Sequence, residues 1–285
     1  MGPLEFVKDR AIILSSVLGY TVWKETYGQA HWKILTTKLT DFHLFLITYP
    51  VVLIVYFTFS LIFAYIDFFV APDGGISGVR LQPKKDHTWM QYKRAIPLVM
   101  FNLFVMSPIL TIGSIYLMFP ASPYYTDQPS GMYPSLPSTF MVLRDLLLSM
   151  VLRDMIFYYL HRLFHHPAVY ATFHKKHHEF TAPIAVSALY ADPIDFALTN
   201  LAPLLVGPLL LNSHPVTMWF YFAEAIIETV SVHSGYNWPG FPCADMHDFH
   251  HETFNSMFSL LGLGDYIHGT DAKFCLRMEK KGKTA

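Results

Sequence analysis

The sequence predicts an all-α, polytopic integral membrane protein whose transmembrane helices carry a cytosolic, histidine-rich di-metal site. Three observations predict it. The chain is 53% hydrophobic and only 14% charged, against roughly 25% charged residues in soluble domains, and its mean hydropathy is +0.32. Several stretches match or exceed the roughly 20 apolar residues that cross a bilayer. Fifteen histidines are present, and most of them gather in clusters with helical spacing. The formal charge of -1 gives no footing for nucleic acid. Two cysteines, Cys243 and Cys275, imply no disulfide framework.

Taken in order, the opening MGPLEFVKDR lacks a basic stretch followed by an apolar core, so no cleavable signal peptide is expected. Ala11 to Tyr20 is apolar, but Lys24, Glu25, His31, Lys33 and Lys38 soon interrupt it. That pattern fits an interfacial helix better than a span. Residues 43–70 form the first clear span, with Pro50 tolerable as a kink. A second span is expected at 96–119. The connection between them, 71–94, carries Arg80, Lys84, Lys85, Lys93 and Arg94, whereas the proline-rich 120–138 connection carries no Lys or Arg. The positive-inside rule places 71–94 in the cytosol and 120–138 on the opposite side.

A third apolar stretch, 139–160, then returns to the cytosol and delivers His161. Arg144, Asp145, Arg153 and Asp154 interrupt it, and intramembrane charges usually face a protein interior. Residues 196–212 and 216–232 form a hairpin through the Asn212–Pro215 turn. It dips into the bilayer and returns His233 and residues 247–251 to the cytosolic face. The basic tail from Arg277 ends with Lys281 and Lys283 in the spacing of a cytosolic dilysine retrieval signal, an address of the endoplasmic reticulum. Three regions follow: a membrane region at 1–135, a histidine-bearing domain at 136–275 and a basic cytosolic tail at 276–285.

The chemistry lies in the clusters. His161 and His165 are four apart, His174, His177 and His178 follow, and His247, His250 and His251 repeat the second pattern with His233 upstream. On a helix such spacings put imidazoles on one face, so each cluster is expected to present its rings to one point. Neutral imidazole is the commonest protein metal ligand. Nine imidazoles exceed the three or four that one ion takes, so two metals fit the count. Imidazole alone does not separate iron from zinc. His31, His43, His87, His214 and His268 are isolated, and His166 is off the His161/His165 face. Asp154 shares that face and is expected to orient a ligating imidazole; the competing reading is an ion pair with Arg153 or Arg144. Asp248 is a second carboxylate placed to tune the metals.

The set HRLFHHP, HKKHHEFTAPI, HSGYNWP, HDFHH and HGTD resembles the fatty acid hydroxylase/sterol desaturase superfamily, and within it the C4-methyl sterol oxidases and their fatty acid hydroxylase domain-containing relatives. The resemblance runs from about Asp154 to Asp271. It implies a centre of two Fe on the nine box histidines, with zinc able to take the same donors. It also implies O2 as oxidant, electrons from cytochrome b5 and its NAD(P)H-dependent reductase, and the endoplasmic reticulum membrane. The expected activity is C4-methylsterol monooxygenation. Alternatives are a fatty-acyl or lipid hydroxylase or desaturase, and a non-catalytic scaffold with a vestigial site. Two departures are visible: Tyr190-Ala191-Asp192-Pro193 stands where sterol oxidases carry Tyr-Ala-His-Pro, and Met246 replaces a His before the third box. Neither removes a box histidine.

Overall fold

The computed structural model describes residues 11–70, 80–118, 133–238 and 241–284, with the side chains of 11–13, 114–118 and 283–284 left aside. The opening decapeptide, residues 71–79 and most of the proline-rich connection lie outside the described residues. Among the described residues no β-strand forms; a lone bridge joins Arg80 to Tyr236.

Helix α1 (Ala11–Trp23) runs through a π-turn at Lys24–Gly28 into α2 (Gln29–Thr36). The helix expected from Ala11 therefore continues past the charged residues to Thr36. The Thr40 hydroxyl caps α3 (Asp41–Leu46) by accepting from His43 N. Next come α4 (Thr48–Tyr65) and a π-turn at Ile66–Val70. A Thr88/Gln91 capping box starts α5 (Trp89–Phe101), and a π-turn at Asn102–Met106 leads into α6 (Ser107–Met118). Such boxes satisfy backbone donors that a helix start leaves unpaired. Ser138 caps α7 (Thr139–Phe164). Helix α8 (Ala202–Leu210) and α9 (Pro215–Val232) form the expected hairpin. The last three are α10 (Asp245–Thr253), α11 (Leu263–His268) and α12 (Ala272–Thr284).

Among the described residues, three helical runs are long and apolar enough to cross a membrane: 41–70, 89–113 and 193–210. The first two correspond to the expected spans at 43–70 and 96–119. Helix α7, expected as the third span, is not among them, because its four charges lower its apolarity. The third is the first arm of the hairpin. Its second arm, α9, is excluded by Glu224 and Glu228. The charges of α7 are sided, however. Asp145, Arg153 and Asp154 are buried, whereas Phe140, Leu147, Leu148, Val151 and Tyr159 are exposed. One side of α7 thus carries Asp145, Arg153 and Asp154 inward, while the outer side is mostly apolar but keeps Arg144 and Arg162 exposed.

Packing makes this possible. Helix α9 lies against α4, and α8 against α7. At Gly207 a Cβ would sit 2.7 Å from Ser149 Cα, so only glycine lets α8 approach α7 this closely. Arg153 of α7 ion-pairs with Glu228 of α9. This arrangement brings the C-terminal ends of α7 and α9, carrying His161 and His233, to one side of the bundle.

Candidate metal centre

Each histidine box has a different backbone. His161 lies in the last turn of α7 and His165 is its C-cap residue. The second box is not an α-helix. It is a π-turn at Tyr170–His174 followed by a 3-10 turn at His177–Glu179. The third box is α10, closed by Phe254 in the left-handed conformation (φ 64°). His233 caps the end of α9.

The structure brings all nine box histidines into two adjoining groups. The first is His161, His165, His174, His178 and His250; the second is His177, His233, His247 and His251. Within each group the donor nitrogens lie within 4.8 Å of one another. The boxes therefore do not each converge on one point, as the spacing suggested. The i,i+4 pairs His174/His178 and His247/His251 stay together, while His177 and His250 cross to the other group. Outside both groups, His166 and His214 cap helix starts, His87 binds Asp67, and His268 meets Tyr159.

Hydrogen bonding fixes which nitrogen is left to bind a ligand. His161 Nδ1 donates to Phe258 O (2.7 Å), His233 Nδ1 to Thr229 O (2.8 Å) and His250 Nδ1 to Ser256 O (2.8 Å). His251 Nδ1 donates to Phe180 O (3.1 Å) and His177 Nδ1 to Tyr190 O (3.3 Å). A carbonyl only accepts, so each ring carries its proton on Nδ1 and directs an Nε2 lone pair inward. Those nitrogens crowd. His178 Nε2 lies 3.1 Å from His165 Nε2, 3.1 Å from His174 Nε2 and 3.2 Å from His250 Nε2. His247 Nε2 lies 2.9 Å from His233 Nε2 and 3.0 Å from His251 Nε2. One proton on His178 or His247 can serve one such neighbour, not all of them. His161 Nε2 is buried with no hydrogen-bond partner. Facing lone pairs at these distances are what a cation resolves, so the residues present fit a metal in each group.

The electrostatics agree. Burial, reinforced by neighbouring imidazoles, holds His177 down to about 4 and His233 and His250 to about 3. Burial pushes His165, His178, His247 and His251 lower still. The rings are neutral, the form that binds metal.

The carboxylates fall differently from the sequence reading. Asp154 accepts from backbone N–H groups: Leu260 (2.8 Å) and Leu261 (2.5 Å) on Oδ1, Gly264 (3.4 Å) on Oδ2. It neither orients an imidazole nor pairs with arginine, since Arg144 pairs with Asp145 and Arg153 with Glu228. What it holds is the loop whose Phe258 carbonyl receives the His161 proton. Asp248 accepts from Gln82 Nε2 (2.9 Å), and burial raises its carboxyl to about 6. The carboxylate that does reach a box imidazole is Asp195, 2.8 Å from His174 Nδ1. Nothing in the histidine spacing points to it.

A cavity of about 400 Å³ lies against both groups. His161 and His174 of the first group and His177, His233 and His247 of the second form one end. Tyr49, Leu103, Ile112, Phe196 and Leu204, from the candidate spans, line the rest.

A profile of the Fatty acid hydroxylase family matches residues 146–270, a stretch that holds every histidine of both groups. Methylsterol monooxygenase 1 of Rattus norvegicus is 31% identical over 242 residues, covering 80% of this chain and 78% of that protein. The chain belongs to the fatty acid hydroxylase family. This is a family of non-haem iron enzymes. Fatty acid hydroxylase domain-containing protein 2 of Homo sapiens is 38% identical over 203 residues, covering 70% of this chain and 58% of that protein. Fatty acid hydroxylase ahd1 of Mycosarcoma maydis is 38% identical over 195 residues, 68% of this chain and 49% of that protein. The chain thus spans about half to three-fifths of those two relatives. No solved structure matches it.

Proposed function

We propose that the protein is a membrane-bound non-haem di-iron oxygenase that oxidises an unactivated C–H bond of a lipid, with a C4-methyl sterol as the preferred substrate. The observation that carries this reading is an apolar cavity that touches both histidine groups and reaches between helices apolar enough to span a bilayer. Its volume lies within the range of small-molecule sites. Iron is preferred to zinc because O2 chemistry needs a redox-active metal, and zinc has no redox chemistry.

The nine histidines would hold two irons, which supply the oxidising power when bound. In balance, R–H, O2, two electrons and two protons give R–OH and water. The chain's own residues do the remaining work. The carbonyls of Phe258, Thr229, Ser256, Phe180 and Tyr190 hold the ring protons on Nδ1 and so aim each Nε2. Leu103, Ile112, Phe196 and Leu204 seat the lipid and exclude water. We further propose cytochrome b5 and its NAD(P)H-dependent reductase as electron donors, and a multi-pass placement in the endoplasmic reticulum with the metal centre cytosolic. We also propose the division read from the sequence, a membrane region at 1–135, a histidine-bearing domain at 136–275 and a basic tail at 276–285.

A second substrate, a fatty-acyl chain to be hydroxylated or desaturated, is favoured by the higher identity to the human and fungal hydroxylase relatives. Disrupting the gene and profiling lipids separates the two: accumulated 4-methylsterols support the sterol reading, and altered hydroxylated or unsaturated acyl chains support the other. Metal analysis of the purified chain tests the class itself. About two irons per chain are expected, and a chain without stoichiometric metal would be a scaffold.

A further inference from the structure

Asp195 is fully buried. Removing a carboxylate from water is costly unless a countercharge repays it. Among the described residues the titratable group it meets is His174, whose Nδ1 lies 2.8 Å from Oδ2. Its other oxygen accepts from Thr199 Oγ1 at 2.8 Å. One ring N–H and one hydroxyl are weak compensation for a buried carboxylate. A divalent cation on the far nitrogen of the same ring is strong compensation.

The position also singles out one group. Of the box imidazoles whose Nδ1 partners are identified, five donate to backbone carbonyls and His174 faces a carboxylate. A carboxylate behind an imidazole raises its donor strength and fixes its tautomer. His174 belongs to the five-histidine group. The backbone explains how Asp195 arrives there. The Asp192 carboxylate caps the turn Pro193–Asp195 by accepting from Ile194 N at 3.0 Å, which aims Asp195 back at the second box.

Resting on the di-metal reading above, we propose that Asp195 is a positioning residue that makes the five-histidine group the tighter of two unequal metal sites. The first metal equivalent fills the His161/His165/His174/His178/His250 group, and the second fills the His177/His233/His247/His251 group.

The test is a cobalt(II) titration of the metal-stripped full chain in detergent, followed by visible absorbance. The wild type is expected to take up two equivalents in two steps of unequal affinity. Asp195→Asn keeps the acceptor for His174 Nδ1 and removes the charge. It should weaken the tighter step by about 10- to 100-fold and leave the weaker step in place. Asp195→Glu should recover part of the loss. Two-step uptake unchanged in Asp195→Asn overturns the role of Asp195 while leaving the metal centre standing, and so does an equal weakening of both steps. A wild-type chain that takes up no cobalt removes the metal centre and this proposal with it.

Discussion

The two histidine groups are made from the same boxes, yet their surroundings differ. The five-histidine group is closed in by protein: Phe258 packs on His161, His165 and His250, Phe254 on His178, and Asp195 backs His174. The four-histidine group gives His177, His233 and His247 to the cavity wall, three of its four rings, whereas the five-histidine group gives His161 and His174, two of its five. The four-histidine group is thus the more presented to the cavity and the five-histidine group the more enclosed on that side, although His165 is only half-buried. The difference teaches that equal ligand chemistry can serve unequal tasks when only the packing around it changes.

The largest effects should come from removing a ring from each group. His250→Ala should cost the enclosed group its metal, and His177→Ala the presented one, each losing about one metal per chain and at least about 100-fold in turnover. His214→Ala, which alters only a helix cap, should keep both metals. Metal analysis checks this, and loss of both metals from either single variant would merge the two groups into one unit.

A smaller effect should separate presentation from binding. Leu204→Trp puts a larger side chain into the cavity, and an overpacking cost of 1–3 kcal/mol corresponds to roughly 10-fold or more in turnover. Metal content should stay at the wild-type level. Wild-type turnover in this variant would show that substrate does not use the cavity.

Asp154→Asn probes the enclosed side. It weakens the acceptor that holds Leu260, Leu261 and Gly264, at about 1–3 kcal/mol, and so loosens the loop beneath His161. Thermal unfolding should come earlier, and the metal lost should be that of the five-histidine group. Equal loss from both groups would show that the loop supports the whole centre. The smallest expected effect is at Gln82→Ala, which removes a hydrogen bond to Asp248 worth about 1 kcal/mol. A slightly lower melting temperature with full metal content is expected, and metal loss would give Asp248 a larger role than the structure assigns.

Much of this was legible in the sequence, and the parts that were not have physical reasons. Residues 43–70 and 96–119 are predominantly apolar in sequence, so assigning them to the membrane needs no tertiary information. The nine histidines could be picked out because clustered imidazoles have few other uses. Their sorting into two groups could not, because the second box bends through π and 3-10 turns that helical spacing does not anticipate. Asp154 shares a face with His161 on paper, but its carboxylate is taken by backbone donors more than 100 residues away. Asp195 lies 21 residues from His174, at a separation no periodic pattern reports. Helix α7 reads as interrupted because composition averages its two faces, and only packing shows that Asp145, Arg153 and Asp154 point inward.

The facing Nε2 lone pairs, 2.9 to 3.2 Å apart across both groups, have a consequence for the protein's life in the cell. A newly made chain must bring these rings together to finish folding, and without a cation that last step runs uphill. Where ligands assemble only around a metal, binding free energy becomes folding free energy. The second box, built of irregular turns, is where a metal-starved chain stays open and meets quality control. A stability difference of 1–2 kcal/mol already changes cellular abundance several-fold. The quantity of this protein should therefore follow the supply of its metal even when synthesis is constant, so that scarcity is registered by turnover of the protein itself.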